Sequence, residues 1–280
     1  MPLKNRLLAF TFLLCMLCSL GGCDLAPVVT IKTTSGTAVA TSQANNATTP
    51  TLNTWNKAAP GVEVRYEHWA IHNNDDTVTI VRLDLHRVHL VIGYQPTQPL
   101  LMSAWVQQEH PLAMINGGYF DQQNNATGLL ISNGHVYGSS YDGFGGMLSV
   151  DIQGNVTLRS LSQQPYDPNN EQLEQATQSS PMLMLGGQRT QFNSNAVSSR
   201  RSIVAMDKQG RLLLIASPSN AFTLDDIADL LASSDLSLDV ALNLDGGAST
   251  GLYVNAGSPH VEIDSFAKLP IVVIVNEGAS

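Results

Sequence analysis

An α+β fold is predicted for this chain. It consists of a single domain with a mixed, largely antiparallel β-sheet core and a few packed helices, preceded by a signal segment and a tether. Three observations lead there. Short runs rich in Val, Ile, Leu and Thr recur through residues 61–277, bounded by Gly, Pro, Asn and Asp, the pattern of strands and tight turns. Helical spacing is confined to three short stretches, residues 103–109, 169–178 and 223–231. A segment of this length can enclose one sizeable core, and many strands with few helices belong to the α+β architectures.

At the N-terminus, Lys4 and Arg6 precede an uncharged apolar run over residues 7–20, followed by Leu20-Gly21-Gly22-Cys23. A basic start, a short apolar segment and small residues at a cut site describe a secretory signal. No later apolar run reaches the ~20 residues of a spanning helix. The Leu-Gly-Gly-Cys sequence resembles a bacterial lipobox, which implies cleavage after residue 22, lipidation of Cys23, and membrane attachment through that lipid alone. Cys15 and Cys18 fall in the removed segment, so the exported chain is expected to keep one cysteine and no disulfide. The expected location is the bacterial cell envelope, periplasmic or outer face. Cleavage removes two basic residues and no acid, so the formal charge moves from −9 to −11, with 12 basic against 23 acidic residues. Such a surface argues against nucleic acid as a partner. An anionic substrate would need a local cation inside its site.

Residues 25–59 are mostly Thr, Ala, Ser, Asn and Pro. This composition buries too little apolar surface to offset its ordering entropy. Residues 23–60 are therefore read as a lipidated cysteine with a flexible linker, and residues 61–277 as the domain.

Within the domain, residues 61–69, 77–85 and 88–94 read as strands. His68, His72, His86 and His89 fall here without the spacing of metal ligands and are read as exposed strand or turn residues. Residues 103–109 form a short helix with Ser103 as N-cap, stopped by Pro111. Residues 128–137 make a hairpin about Asn133-Gly134, a pair suited to a two-residue turn. Residues 145–150 and 156–161 make another. Residues 169–178 have helical composition, and Pro181-Met-Leu-Met-Leu185 returns to strand. Residues 201–206 and 212–216 flank the turn Asp207-Lys-Gln-Gly210. Thr223 caps the strongest helix, with Asp226 in the capping-box position and Ile227, Leu230 and Leu231 on one face. Apolar strands at 251–254 and 270–275 complete the chain.

Two stretches carry the candidate chemistry: Val240-Ala-Leu-Asn-Leu-Asp-Gly-Gly-Ala-Ser-Thr250 and Leu112-Ala-Met-Ile-Asn-Gly-Gly-Tyr-Phe-Asp121. Each leads from a buried-strand pattern into a Gly-Gly pair with a carboxylate nearby. Glycine lets a ligand approach the backbone closely. Successive N–H groups in such turns can converge on an anion. The two turns are expected to share one cleft, with Asp245 and Asp121 as its carboxylates. Arg200 and Arg201 are adjacent, so on a strand they face opposite ways.

Several blocks, taken in order, resemble the phosphodiester glycosidase family. They are Asn116-Gly-Gly-Tyr-Phe-Asp121, Gly128-Leu-Leu-Ile131 with Asn133-Gly134, and Gln178-Ser-Ser-Pro-Met-Leu183. They continue with Arg201-Ser-Ile-Val-Ala205, Thr223-Leu-Asp-Asp-Ile-Ala228, Leu242-Asn-Leu-Asp-Gly-Gly-Ala-Ser-Thr250 and Leu269-Pro-Ile-Val-Val273. The departures are Tyr119 where Phe is common, Ala248 for a frequent third glycine, Ser202 for Thr, and Ala221-Phe222 ahead of the helix cap. The resemblance implies hydrolysis of a sugar-1-phosphodiester, with a sugar-phosphate or phosphoglycan as substrate. The leaving group is then a phosphomonoester with a second pKa near ~6, which needs little help from a general acid. A carboxylate must activate water or attack the anomeric carbon, and a cation must hold the phosphate. On this pattern Asp245 is the base or nucleophile, Asp121 the acid or positioning group, and Arg201 the phosphate clamp. Gly117, Gly118, Gly246 and Gly247 supply backbone donors, Ser249 and Thr250 hydroxyl contacts, and Asn116 and Asn243 hold the loops.

No zinc signature, nucleophile elbow or P-loop is present in the sequence. No organic cofactor is expected, while a carboxylate loop is compatible with a structural Ca²⁺. The competing reading is a non-catalytic lipoprotein that binds glycan or phosphoglycan during exopolysaccharide assembly. A purely structural lipoprotein leaves the charged Gly-Gly turns unexplained.

Overall fold

The computed structural model describes residues 51–256 and 261–278, the Val261 side chain aside. Three sheets make up the fold, and all of their ladders are antiparallel, which corrects the expectation of a mixed core. The largest sheet has eight strands, ordered Asn56–Ala59, Val62–Ile71, Asn74–Leu83, Leu212–Phe222, Ser199–Asp207, Leu238–Asn243, Met182–Leu185 and Gln188–Arg189. A five-stranded sheet runs His135–Tyr137, Leu130–Ser132, Leu173–Ser179, Gly146–Asp151, Val156–Ser160. The other runs Val261–Ile263, Leu252–Val254, Ala113–Asn116, Ile271–Glu277, Val88–Tyr94.

The three sheets share one apolar core, to which each contributes: Val81, Val204 and Leu214 from the first, Leu130 and Leu148 from the second, Ile115 and Val273 from the third. On Leu212–Phe222, Leu212 and Leu214 point into this core. Leu213 and Ile215 point to the opposite face, where Ile227 and Leu231 of the helix Leu224–Ser233 cover them. Burial on both faces is why this strand reads as an unbroken apolar run. The shorter helix, Met102–Glu109, sets Met102 and Trp105 against the outer face of the third sheet, on Met114, Val272 and Ile274. Truncating a fully buried leucine such as Leu214 to alanine in a core of this kind costs about 2–5 kcal/mol.

The Thr223 capping box forms as the sequence predicts: the hydroxyl accepts from Asp226 N, and the Asp226 carboxylate accepts from Thr223 N. Asn133 and Gly134 both take positive φ, 50° and 75°, in the expected hairpin.

Two local expectations fail for reasons of packing. Residues 169–178 form no helix; Leu173–Ser179 is instead the central strand of its sheet. Its glutamines, which suit an exposed helical face, are buried and act as ties. Gln175 Oε1 accepts from Ile92 N and Asn133 N, and Gln178 Oε1 from Leu129 N and Tyr141 N. Ser103 is not the N-cap either, a position held by Leu101. A remote segment caps that helix: Asp264 accepts from Ser103 N and Oγ, and Ser265 Oγ accepts from Met102 N.

The expected tether also ends earlier than composition suggests. Asn56–Ala59 pairs with Val62–Ile71, and the Arg82 guanidinium lies 3.8 Å over the Trp55 ring. The signal segment, Cys23 and most of the linker lie outside the described residues. Among those described, no helix is long and apolar enough to cross a membrane.

Candidate active site

The two Gly-Gly stretches meet. Asn116, at the end of Ala113–Asn116, donates through Nδ2 to the Asp245 carbonyl at 2.6 Å, and Asp245 N donates to Gly117 O at 3.1 Å. Asn116 Oδ1 accepts from Ser202 Oγ at 2.7 Å and Gly251 N at 3.2 Å. Its side chain is buried, so this amide is the knot between two sheets. The glycines beside it serve packing more than ligand approach. A Cβ on Gly117 would lie 2.3 Å from Ile271 Cγ2, and one on Gly118 would lie 2.1 Å from Gln178 O. Gly117 N donates to Ile271 O, Gly118 N to Thr177 Oγ1 and Gly246 N to Asp245 Oδ1, so these three expected phosphate donors are already engaged within the chain.

The half-buried Asp245 carboxyl is held by Gly246 N at 3.0 Å and by the Ser249 hydroxyl. Burial pushes its pKa above the ordinary carboxylate value, and these two hydrogen bonds partly offset the rise. Gly247 takes φ +62° to open the single 3₁₀ turn Gly247–Ser249, and Thr250 is fully buried behind it. The Ala248 carbonyl accepts from both Phe266 N and Ala267 N, which ties this turn to the segment that caps Met102–Glu109.

Tyr119 is the member that sequence reasoning missed, having marked it only as a departure from Phe. Its hydroxyl donates to Ser180 O at 2.9 Å and accepts from Asn243 Nδ2 at 2.7 Å; Asn243 Nδ2 also reaches Ser180 O at 2.9 Å. The Tyr119 pKa is pushed up to about 12, chiefly by burial and further by the Asp245 carboxylate, while Arg201 opposes the shift. This phenol therefore lies within the fields of both charged candidates. The available signal was a hydroxyl where an apolar ring would suffice, two residues beyond a Gly-Gly pair.

Arg201 reaches the site through strand register. Ile203 pairs with Asn243 and Leu244 N donates to Ser202 O at 2.8 Å, so carrying the register on sets Arg201 opposite Asp245. Its Nε donates to Phe222 O at 3.1 Å and its Nη2 to Val197 O. No carboxylate forms an ion pair with it among the described residues. Burial pulls its pKa down, and Tyr119 and Asp226 counteract this. Arg200 faces the other way: Nε donates to Pro218 O, Nη2 to Asp264 O, and its guanidinium lies 4.1 Å over Phe266.

Asp121 is placed differently. Its Oδ1 accepts from Gln123 N and Asn125 N, both at 2.8 Å, its Oδ2 from Asn125 Nδ2, and Asn124 N donates to its carbonyl. Asp151 makes the same four contacts with Gln153, Asn155 and Gly154 in a plain hairpin turn. The Asp121 carboxylate is exposed, its pKa lowered mainly by the Asn125 backbone bond, and it shares no contact with Asp245 among the described residues. The Asp121 carboxylate is thus committed to its own turn. Separately, His72 Nδ1 lies 3.1 Å from Asp226, and no group of three or more metal-ligating side chains occurs among the described residues.

A phosphodiester glycosidase family model matches residues 110–275, more than half of the chain and all of the site. No curated protein sequence matches it. Among solved structures, the fold is similar to the catalytic domain of zebrafish N-acetylglucosamine-1-phosphodiester alpha-N-acetylglucosaminidase, auto-inhibited by its pro-peptide. That likeness has a TM-score of 0.61 and 20% identity over 80% of this chain and 86% of that one. A hypothetical protein from Synechocystis gives 0.59 at 15% identity, covering 82% of this chain and 64% of that one. A putative exported protein from Burkholderia pseudomallei gives 0.53 at 11% identity, covering 73% and 74%.

Proposed function

The chain belongs to the phosphodiester glycosidase family, and on that premise we propose that it hydrolyses a sugar-1-phosphodiester, with Asp245 as its reacting carboxylate. The observation that carries this is the clustering of a half-buried carboxyl, a half-buried phenol and an arginine free of carboxylate partners where the two Gly-Gly turns are bonded together. Arg201 binds the phosphate. Two of its donors are fixed on backbone carbonyls, which orients the planar fork and leaves its charge uncompensated. Asp245 acts at the anomeric carbon as base or nucleophile. The departing phosphomonoester leaves as a stable anion, so the scheme needs no second carboxylate. Tyr119 stays protonated at neutral pH and positions Ser180 and Asn243 at the edge of the site. Asp121 holds the loop after the first Gly-Gly turn, and Ser249 orients the Asp245 carboxyl.

We further propose that the protein is a bacterial envelope lipoprotein, anchored through Cys23 and working on envelope or exopolysaccharide glycan. The Leu20-Gly-Gly-Cys23 sequence supports this, and its test is incorporation of labelled palmitate, lost in Cys23→Ala. For the activity, full chain and Asp245→Asn are incubated with a sugar-1-phosphodiester in ¹⁸O-water. Release of free sugar by the wild type alone, with label on the sugar, is the expected result. Binding without turnover by both would establish the glycan-binding alternative instead.

A further inference from the structure

Ser180, whose carbonyl anchors Tyr119 and Asn243, also lines a cleft between the eight-stranded sheet and the Gly146–Asp151 sheet. The cleft measures about 460 Å³, within the ~300–1,000 Å³ of small-ligand sites. Its lining is unusual in kind. It contains no Asp, Glu, Lys, Arg or His, whereas the clefts at Arg159 and Glu171 and at Arg82 and Arg87 are charged. Two aromatic rings border it. Phe144 is 52% exposed and its ring is stacked on Tyr141, centroids 4.7 Å apart, so one ring face is backed and the residue stays available. Phe192, the second, carries Arg189 over its ring, but that guanidinium is neutralised by Asp225 and Asp229. The lining also includes the Ser160 and Ser162 hydroxyls, bonded to each other at 2.9 Å, and the exposed amides of Gln191 and Asn193. Neither amide side chain makes a hydrogen bond among the described residues.

We propose that this cleft binds a neutral sugar unit of a glycan chain that continues beyond the phosphodiester at Asp245. Pyranoses suit such a wall. Their C–H faces pack on aromatic rings, while each hydroxyl taken from water requires a replacement hydrogen bond, which the free amides of Gln191 and Asn193 supply. A phosphate finds no cation in that lining. The substrate would then be an oligomer or polymer, recognised over more than its reacting sugar. This rests on the hydrolysis reading for what the glycan is attached to, while binding itself does not.

The test is calorimetric titration of the full chain, kept in a non-glycosidic detergent, with chitotetraose and maltotetraose, alongside hydrolysis of a minimal sugar-1-phosphodiester. Saturable binding of at least one neutral tetrasaccharide is expected, weakened about tenfold or more in Phe144→Ala and Phe192→Ala and retained in Phe144→Trp. Asp245→Asn should bind the tetrasaccharide as wild type does. Phe144→Ala should hydrolyse the minimal substrate at the wild-type rate, which shows its fold intact. The proposal is overturned if neither tetrasaccharide saturates by about 10 mM, or if Phe144→Ala and Phe192→Ala bind as tightly as wild type. Tetrasaccharide binding with no hydrolysis by the wild type would support the cleft while overturning the proposed activity.

Discussion

The Asn116 side-chain amide donates to the carbonyl of Asp245 at 2.6 Å, across 129 residues of sequence. The candidate carboxylate is thus positioned by a residue that never faces it. Asn116→Ala would strip this bond and strand Ser202 Oγ and Gly251 N in a buried setting and the Asp245 carbonyl in a half-buried one. Each unsatisfied group costs about 1–3 kcal/mol, so a loss of at least ~3 kcal/mol is expected in urea-unfolding stability.

Asp245→Asn is expected to separate activity from stability. The folded carboxyl has a raised pKa, so its favourable, protonated state is present at low pH and lost as pH rises through the folded value. At neutral pH the buried charge is a net cost that asparagine removes while keeping an acceptor for Gly246 N. Turnover should fall by about a thousandfold or more. The melting temperature at pH 7 should rise by about 2 °C or more, and the gain should shrink in acid.

Arg201→Lys keeps the charge but not the planar fork that bonds Phe222 O and Val197 O. Inorganic phosphate should raise the wild-type melting temperature in proportion to RT ln(1 + [L]/Kd), and the variant's far less. With substrate, kcat/KM should drop by about a hundredfold.

Tyr119→Phe removes a hydroxyl that serves both Ser180 and Asn243, at a cost of about 1 kcal/mol near pH 8. The wild-type phenol is held neutral up to about 12. Its contribution is therefore complete below 10, the unfolded value, and lost as pH rises from 10 to about 12. The difference between these values amounts to ~2–3 kcal/mol. Urea titrations across that range should show the wild-type advantage over Tyr119→Phe vanishing soon above pH 10 and then reversing.

Because Asp121 and Asp151 hold two turns with the same bonding pattern, Asp121→Asn and Asp151→Asn should behave alike. Both should change kcat/KM by less than about tenfold. A collapse of activity in Asp121→Asn alone would return that carboxylate to the chemistry.

The legible parts of the sequence were those decided locally. The Thr223 box, the Asn133-Gly134 turn and the apolar run at Leu212 depend on neighbours a few residues away, so spacing reveals them. Leu173–Ser179 was misread because its glutamines bond to backbone groups of Ile92 and Leu129, partners that chain order does not display. The helix cap at Ser103 was misassigned for the same reason, its acceptor being Asp264. Within the site, the meeting of Asn116 and Asp245 was visible as two matching Gly-Gly stretches. The bonds that fix Asp121 in its turn, to Asn125 N and Nδ2, are not visible in the local sequence, which reads the same for a turn aspartate and a reacting one.

The stretch from Asp264 to Ala267 is fastened at three places: the start of Met102–Glu109, the Arg200 guanidinium, and the Ala248 carbonyl beside Ser249. Phe266 sits in this stretch with its backbone N–H on Ala248 and its ring under the Arg200 guanidinium. The turn that carries Asp245 and Ser249 is thus braced from outside the site, by the same stretch that starts a helix.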